Sequence, residues 1–148
     1  MRRFATGVAI VTTAYEERVH GFTVNAFASV TADPPTVLIC VNRAATAHPL
    51  ISTSQRFCVN ILALEQRAIA ERFAGGEPRT RFDGVPYRVG PSGSPIIAGT
   101  LAHFDCTVAE ELTSGTHTIF LGSVLDASER DGAPLGYYDR TYRDFSLK

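Results

Sequence analysis

The stretch GFTVNAFASVTADPP, residues 21–35, is the segment around which we expect the chain to be organised. It begins with glycine, continues through small and β-branched side chains, and ends at a pair of prolines. Short side chains leave the backbone open, so a planar ligand could lie within reach of its N–H groups and of Thr23, Asn25 and Ser29. The same pattern suits a β-strand, a connector and a turn with packing residues only. This segment by itself leaves both interpretations open.

Size and charge narrow the class of protein. With 148 residues the chain is long enough for one hydrophobic core, and we expect residues 1–148 to form one domain. A net charge of −1 without a basic run gives no reason to expect nucleic acid or an anionic membrane as a partner. No apolar run approaches the roughly 18 residues that span a bilayer, which favours a cytoplasmic location.

The three cysteines, Cys40, Cys58 and Cys106, form no CxxC pair and lie inside apolar, strand-like runs. We therefore expect buried free thiols, and neither a disulfide framework nor a zinc site.

Strand patterns dominate the first part of the chain. The opening MRRFATG resembles the last turn of a helix that ends at Gly7, so we expect a truncated helix there. Residues 7–15 are apolar at both odd and even positions, as in a strand that is covered on both faces. After a polar turn, residues 19–24 are predicted to form the second strand of a hairpin. Residues 36–41 form a third strand after the prolines, which lack N–H groups and are expected to stay out of the ladder.

The middle of the chain mixes a strand, a helix and a loop. FCVNIL, residues 57–62, predicts a strand, and residues 64–73 predict an amphipathic helix that Gly75 and Gly76 end. Residues 77–93 are polar and rich in glycine and proline, which indicates a long loop, and such loops are often functional or disordered.

The last third is β-rich. Residues 101–112 and 117–127 flank a good hairpin turn, and residues 134–138 form a short final strand. Six or seven strands and two short helices, without alternating βα units, predict a closed or nearly closed antiparallel barrel with helices at its ends.

A short helix after residue 45 could form an anion site. Thr46 is a plausible N-cap with Pro49 in the first turn, which places free N–H groups near the Arg43 guanidinium, a geometry suited to a phosphate. An ordinary capped helix with a solvated arginine fits equally well.

Side-chain catalysis has little support. The chain has no GxGxxG after a strand, no GxxxxGK[ST] and no GxSxG, and its histidines lack metal-ligand spacing. Of the histidines, His117 has the best claim because it begins a strand beside a Ser-Gly turn, although a structural role is the alternative. If the protein is an enzyme, a bound cofactor carries the reaction.

The chain resembles the short-chain flavin reductase family, the reductase components of two-component flavin-dependent monooxygenases. Eight blocks in the family's order carry the resemblance: RFATGVAIVTT, GFTVNAFASVTADPPTVLICVNR, HPLISTSQRFCVNIL, QRAIAERFAG, RFDGV, SPIIAGTLAHFDCTVAEEL, GTHTIFLGSV and PLGYYDRTY. The resemblance implies a mainly β, Greek-key split barrel of the FMN-binding type with a few short helices. It also implies a homodimer with flavin sites near the subunit interface, reduction of FMN or FAD by NADH or NADPH, and delivery of reduced flavin to a monooxygenase.

The resemblance also implies site residues. The segment along the isoalloxazine ring corresponds to Phe22, Thr23, Val24, Asn25, Ala26 and Phe27, with Ser29 just beyond it. The part that holds the ribityl and phosphate groups corresponds to Val41, Asn42, Arg43, Thr46, Ala47 and His48. Further flavin contacts correspond to Phe73, Ala74, Arg81 and Phe82.

His117 falls on the histidine of the family's Gly-Asp-His motif, which seats the nicotinamide, and it is the predicted catalytic residue. The motif here reads Gly115-Thr116-His117, with threonine in place of the family's aspartate. Two alternatives remain from other classes: a non-catalytic flavin- or haem-binding split barrel, and a β-barrel that mediates interactions without a cofactor.

Overall fold

The computed structural model describes residues 1–146, and strands make up most of the regular structure. The strands are β1 (Thr6–Gly7), β2 (Ala9–Tyr15), β3 (Arg18–Val24), β4 (Phe27–Ala32), β5 (Pro35–Asn42), β6 (Arg56–Ile61), β7 (Tyr87–Val89), β8 (Pro95–Ile97), β9 (Ala102–Ser114), β10 (His117–Glu129), β11 (Leu135–Tyr138) and β12 (Thr141–Asp144). The helices are α1 (Ala47–Ser54) and α2 (Arg67–Ala74), with 3₁₀ turns at Leu64–Gln66 and Pro78–Thr80. The predicted mainly β class is confirmed.

The largest sheet has seven antiparallel strands in the order β3-β2-β6-β9-β10-β5-β4. Its two edge strands, β3 and β4, are consecutive in the chain and are joined by Asn25 and Ala26. The sheet therefore curls back towards its own start without a ladder between β3 and β4, which is the predicted split barrel. A three-stranded sheet, β1-β11-β12, and the β7–β8 hairpin complete the fold.

Two hydrophobic clusters lie on opposite faces of β2. Val11 packs in a cluster with Ile39, Phe57 and Phe120, while Ile10 packs in a second cluster that includes residues of α2 and β11. Because alternate residues of a strand point to opposite faces, an apolar strand such as β2 joins two cores. The strand covered on both faces that the sequence predicted is confirmed.

The predicted N-terminal helix turn is wrong. Residues 4–5 carry no regular structure, and Thr6 and Gly7 pair with Tyr137 and Gly136 of β11. Their strand partners lie about 130 residues away, so no local pattern could show this ladder.

Two other expectations about the barrel strands need correction. Pro35 begins β5 and pairs with Ala32, a position that tolerates proline because it is the first residue of the strand. The connector predicted before the prolines contains β4, whose side chains after Phe27 are all exposed. An edge strand with one partner needs no apolar alternation, so the sequence pattern did not reveal it.

The long loop predicted over residues 77–93 is partly structured. It contains the 3₁₀ turn Pro78–Thr80 and ends in β7, which pairs with β8. The strand β12 was also not predicted. These short elements raise the number of strands in residues 1–146 to twelve, against the six or seven expected.

Buried polar side chains hold the β7–β8 hairpin against the barrel. The Asn60 side chain accepts from Ile97 N at 2.9 Å and donates to Ile10 O at 3.0 Å, and Thr12 Oγ1 donates to Pro95 O. The carboxylate of Asp105 accepts from the amide and hydroxyl of Ser92 at 2.7 and 2.6 Å. Thr12, Asn60 and Asp105 are fully buried, and we call them the polar layer.

No helix within residues 1–146 is long and apolar enough to cross a bilayer. The three cysteines are free: Cys58 and Cys106 are buried, and Cys40 is half-buried.

Candidate functional site

A cavity of about 470 Å³ opens beside β3. Four parts of the fold form its walls: β3 and the residues after it, the start of α1, the end of α2 with the following turn, and the small β1-β11-β12 sheet. Its lining consists of Val8, His20, Phe22, Thr23, Val24, Asn25, Ala45, Thr46, Ala47, Phe73, Ala74, Arg81, Tyr137 and Tyr142.

The β3 wall is anchored on both sides. Thr23 Oγ1 donates to Ala70 O of α2 at 2.7 Å, while Phe22 and Val24 pack against the barrel core. Because neighbouring residues of a strand face opposite ways, β3 joins the barrel to α2. The wall is therefore fixed by packing and by a hydrogen bond, as a rigid binding site requires.

Gly21 allows the aromatic rings at the cavity to approach the backbone of β3. A Cβ atom at this position would lie 2.7 Å from Phe73 Cε1 and 3.2 Å from Phe82 Cζ. Phe73 and Phe82 meet edge to face with their centroids 5.0 Å apart. Phe73 lines the cavity, and Phe82 packs against the Phe73 ring outside the lining.

Arg81 places a cation in the cavity wall. Its guanidinium donates to Gly21 O at 2.9 Å and to Gly75 O at 3.1 Å, which fixes the long side chain in one orientation. Burial lowers the pKa of Arg81, an effect that nearby Glu77 opposes. Arginine remains charged in proteins, so the wall carries a fixed positive charge.

The start of α1 offers unused polar groups. Thr46 occupies the predicted N-cap position, but its side chain makes no capping hydrogen bond. The first N–H groups of a helix have no partner inside the helix, and they carry a partial positive charge. Here Pro49 has no N–H and His48 N donates to Ala45 O at 3.1 Å, so the N–H groups of Thr46 and Ala47 are the ones that remain. The predicted convergence with Arg43 is not formed in the cavity, because Arg43 is exposed and its guanidinium donates to Gly115 O at 3.5 Å.

His20 lies in the β3 wall with only 5 % of its surface exposed. Burial, assisted by the charges of Arg81 and Arg18, lowers the pKa of His20 to about 4. The ring is therefore neutral at neutral pH. No sequence motif placed His20 in the predicted site.

Two tyrosines of the small β1-β11-β12 sheet, Tyr137 and Tyr142, complete the cavity wall. Tyr137 and Tyr142 meet at 5.5 Å between ring centroids, and the Arg67 guanidinium lies 5.6 Å from the Tyr142 ring centre. Burial raises the pKa of Tyr142, with smaller contributions from Tyr137 and Glu71, while Arg67 opposes the rise. The Tyr142 hydroxyl therefore stays protonated at neutral pH.

The structure brings part of the predicted site together. The predicted residues that line the cavity are Phe22, Thr23, Val24, Asn25, Thr46, Ala47, Phe73, Ala74 and Arg81. The predicted residues outside its lining are Ala26, Phe27, Ser29, Val41, Asn42, Arg43, His48, Phe82 and His117.

Several of the residues outside the lining have evident structural contacts. Val41 is buried in the barrel core, and Phe27 packs on Phe104 at 5.5 Å between ring centroids. His48 Nε2 lies 2.7 Å from Thr118 Oγ1, and its ring packs on Phe120 at 5.6 Å.

Three others, Asn42, Ala26 and Ser29, are exposed. Asn42 Oδ1 accepts from Ala44 N at 2.9 Å and shapes the turn before α1. Ala26 and Ser29 are exposed, and Ser29 lies along a separate groove between β4 and the β9–β10 pair.

His117 lies at the tip of the β9–β10 hairpin, away from the cavity lining. It is exposed, pairs with Asn42 of β5, and has Nδ1 2.9 Å from Thr116 Oγ1. The threonine that replaces the family's aspartate thus contacts the ring that the aspartate would orient.

Sequence reasoning missed five residues of the lining: Val8, His20, Ala45, Tyr137 and Tyr142. The aromatic C-terminal segment and the His20–Gly21 pair were visible in the sequence, but nothing showed that either faces the residues after Gly21. Among residues 1–146, no group of three or more His, Cys, Asp and Glu could hold a metal ion.

The buried thiols are unsuited to nucleophilic chemistry. Burial raises the pKa of Cys106 to about 12, with a contribution from Asp105, and the same two causes raise the pKa of Cys58. A thiolate is the reactive form, so neither cysteine provides a nucleophile at neutral pH.

Comparison with known proteins gives consistent matches over nearly the whole chain. An FMN reductase (NADH) from Stutzerimonas stutzeri is 39 % identical over 148 residues, which cover 99 % of this chain and 85 % of that protein. The reductase subunit of a flavin-dependent monooxygenase from Mycobacterium tuberculosis is 37 % identical over 143 residues, which cover 95 % of this chain and 76 % of that protein.

A solved structure agrees. The NADH:FAD oxidoreductase of Streptomyces globisporus superposes with a TM-score of 0.91 at 36 % identity, over 98 % of this chain and 89 % of that one. The model of the flavin reductase like domain matches residues 1–146. The chain therefore belongs to the flavin reductase like domain family, as its sequence blocks predicted.

Proposed function

We propose that this protein is an NADH-dependent flavin reductase that binds FMN or FAD in the cavity beside β3 and supplies reduced flavin to a separate monooxygenase. The observation that carries the proposal is the cavity itself. The first four residues of the predicted ring-binding segment, Phe22 to Asn25, line it, and the chain has reductase relatives.

The residues around the cavity fit a flavin. A volume of about 470 Å³ lies within the roughly 300–1,000 Å³ of ligand sites. Aromatic and small side chains line it together with a few polar groups, a combination suited to a planar ring with a polar rim. The fixed Arg81 cation and the start of α1 are suited to the negative charge of the ring edge and phosphate.

When flavin is bound, it accepts the hydride that the nicotinamide of NADH donates, and every bond that changes lies in the two ligands. The protein's part is to hold both rings at contact distance and in a fixed orientation. Phe73, Phe82 and the anchored Thr23 give a rigid wall for that purpose. Arg81 stabilises negative charge that develops at the ring edge.

We assign the phosphate side of the ligand to the start of α1. The Thr46 hydroxyl makes no capping hydrogen bond, and the N–H groups of Thr46 and Ala47 add to it, whereas His48 N already donates to Ala45 O. Asn42 and Arg43 lie just before this turn and stay predicted contacts for the outer part of the ligand. Of the remaining predicted contacts, Phe27, Val41 and His48 act through packing in the barrel. The exposed Ala26 and Ser29 stay predicted flavin contacts.

His117 is proposed to seat the nicotinamide. Its exposed position at a hairpin tip leaves the ring free to contact a second ligand, and Thr116 contributes a neighbouring oxygen for orientation. Activity of His117→Ala tests the role, since loss of seating raises the KM for NADH while the Kd of flavin stays unchanged.

The homodimer and the monooxygenase partner belong to the same proposal. Support for the partner comes from the relative that is itself the reductase subunit of a monooxygenase. The homodimer is checked by light scattering, where a mass of one chain would contradict it. The cytoplasmic location stays a prediction from the sequence.

The test of function is oxidation of NADH and of NADPH with FMN, FAD, riboflavin or no added flavin. We expect turnover only with flavin, and faster turnover with NADH than with NADPH. Flavin binding without oxidation of either nucleotide would leave a non-catalytic flavin protein, and an absence of flavin binding would favour the cofactor-free barrel.

A further inference from the structure

His20 is a buried polar side chain without a hydrogen-bond partner, although its ring lies beside that of Phe22 at 6.2 Å between centroids. It is 5 % exposed, yet no hydrogen bond joins its imidazole to any other residue among residues 1–146. A buried imidazole that lacks partners is costly, because both ring nitrogens give up their hydrogen bonds to water. Such a group calls for a specific explanation.

The ring nitrogens of His20 remain accessible from the cavity. Within the described residues, Thr6 Oγ1 is the one side-chain polar atom that is both sealed from solvent and unpartnered. His20 lines the cavity, so its access is through that space. The ring therefore presents its unused hydrogen-bonding groups to whatever the cavity holds.

A second buried histidine shows what a structural role looks like here. His103 is 4 % exposed, and both of its ring nitrogens have partners: Nε2 lies 2.8 Å from Asp126 Oδ2, and Nδ1 lies 3.1 Å from Ser128 Oγ. The fold thus provides hydrogen-bond partners for His103 and none for His20. Of the two, His20 is the one that lines the cavity.

The charges around His20 define its chemistry. Arg81 and Arg18 are the charged groups that act on its ring, and together with burial they keep it neutral. A neutral imidazole has one N–H donor and one acceptor nitrogen. It can therefore pair with a carbonyl oxygen or with an N–H group of a ligand, and Arg81 in the same wall can pair only with an acceptor.

We propose that His20 is a hydrogen-bonding contact for the flavin in the cavity, and that its ring is unpartnered within the protein because the isoalloxazine edge supplies the partner. This inference rests on the proposed function for the identity of the ligand. It adds a binding residue to the ring-binding segment, two positions before Phe22.

A flavin contact and a structural histidine predict opposite effects of substitution on flavin affinity and on folding stability. Replacing a hydrogen-bonded buried histidine lowers the free energy of unfolding. Replacing a buried histidine without hydrogen bonds by an apolar residue changes that free energy little or raises it. In His20→Leu we therefore expect a melting temperature of the flavin-free protein equal to or above that of the wild type. We expect the Kd of flavin to rise about tenfold, the effect of one lost hydrogen bond.

The experiment is a titration of the full chain with FMN and with FAD, followed by flavin fluorescence, alongside thermal melts without flavin. His20→Gln retains a donor and an acceptor and should recover part of the affinity. His103→Leu is the matched control: it should lower the melting temperature and leave the Kd of the folded protein unchanged.

Each outcome bears on one claim. A Kd in folded His20→Leu within twofold of the wild type overturns the His20 contact. If His20→Leu does not fold, the imidazole Cε1–H resonance of wild-type His20 decides: it should shift on FMN addition, and an unmoved resonance overturns the contact. Wild-type protein that binds no flavin overturns the proposed function, whereas flavin binding without NADH oxidation overturns only the reductase activity.

Discussion

The cavity wall and the polar layer beneath the β7–β8 hairpin both bury polar side chains, but they differ in how those groups are partnered. In the polar layer, Thr12, Asn60 and Asp105 have their hydrogen bonds inside the protein. In the cavity wall, His20 has none and Thr46 caps nothing. A polar layer with satisfied bonds fixes the fold, whereas unsatisfied groups around a cavity are kept for a ligand. Substitutions should therefore affect stability in one region and binding in the other.

The largest effect is expected in the polar layer. Asn60→Leu removes bonds to Ile10 O and Thr12 Oγ1 and leaves Ile97 N without its acceptor. We expect a loss of about 3 kcal/mol in the free energy of unfolding, because these groups stay buried without partners. Urea denaturation measures it. A loss below about 1 kcal/mol would contradict the stabilising role of the layer.

Gly21→Ala tests the close packing behind the cavity. The added methyl group meets the Phe73 ring, so the ring must shift into the cavity or the strand must move. Overpacking of this kind costs about 1–3 kcal/mol. We expect both a lower melting temperature and weaker flavin binding, measured by thermal melts and titration. Gly7→Ala is the matched control, because a Cβ there meets no atom within 4 Å.

Arg81→Gln should affect binding more than folding. The substitution removes the cation from the wall and at least one of the hydrogen bonds to Gly21 O and Gly75 O. The Arg81 side chain is half-exposed, so its loss should cost little folding stability. We expect the Kd of FMN to rise about tenfold, as for one lost charge-assisted hydrogen bond. Arg79→Gln, at an exposed neighbour outside the lining, should leave the Kd unchanged. Equal effects of the two variants would mean that overall charge, and not the wall, attracts the ligand.

The effect that is absent at neutral pH, and develops only as the pH falls, is a pH dependence of stability. The pKa of His20 falls from 6.5 to about 4 on folding, so between these values the unfolded chain takes up a proton that the folded chain does not. His20 therefore leaves the free energy of unfolding unchanged above pH 6.5 and lowers it as the pH falls towards 4. The slope is at most about 1.4 kcal/mol per pH unit. Denaturation of wild type and His20→Leu across this range isolates the effect, because the other groups cancel in the difference. Parallel curves would show that His20 titrates normally in the fold.

The sequence by itself determined the local elements and the family. The apolar pattern of β2 predicted a strand covered on both faces, and the turn after residue 112 predicted the hairpin that β9 and β10 form. Eight ordered blocks predicted the split barrel and a ring-binding segment at residues 22–27, of which residues 22–25 line the cavity. These features depend on neighbours in the chain, so a single sequence contains them.

Only the tertiary structure decided which distant residues complete the site. Tyr137 and Tyr142 reach the cavity because β11 pairs with β1 at the other end of the chain, and His20 faces it because β3 is an edge strand beside the two helices. Conversely, Val41 lies in a matching family block but is buried in the barrel core. Periodicity assigns residues to alternate faces of a strand, but what each face meets is set by pairings across more than a hundred residues.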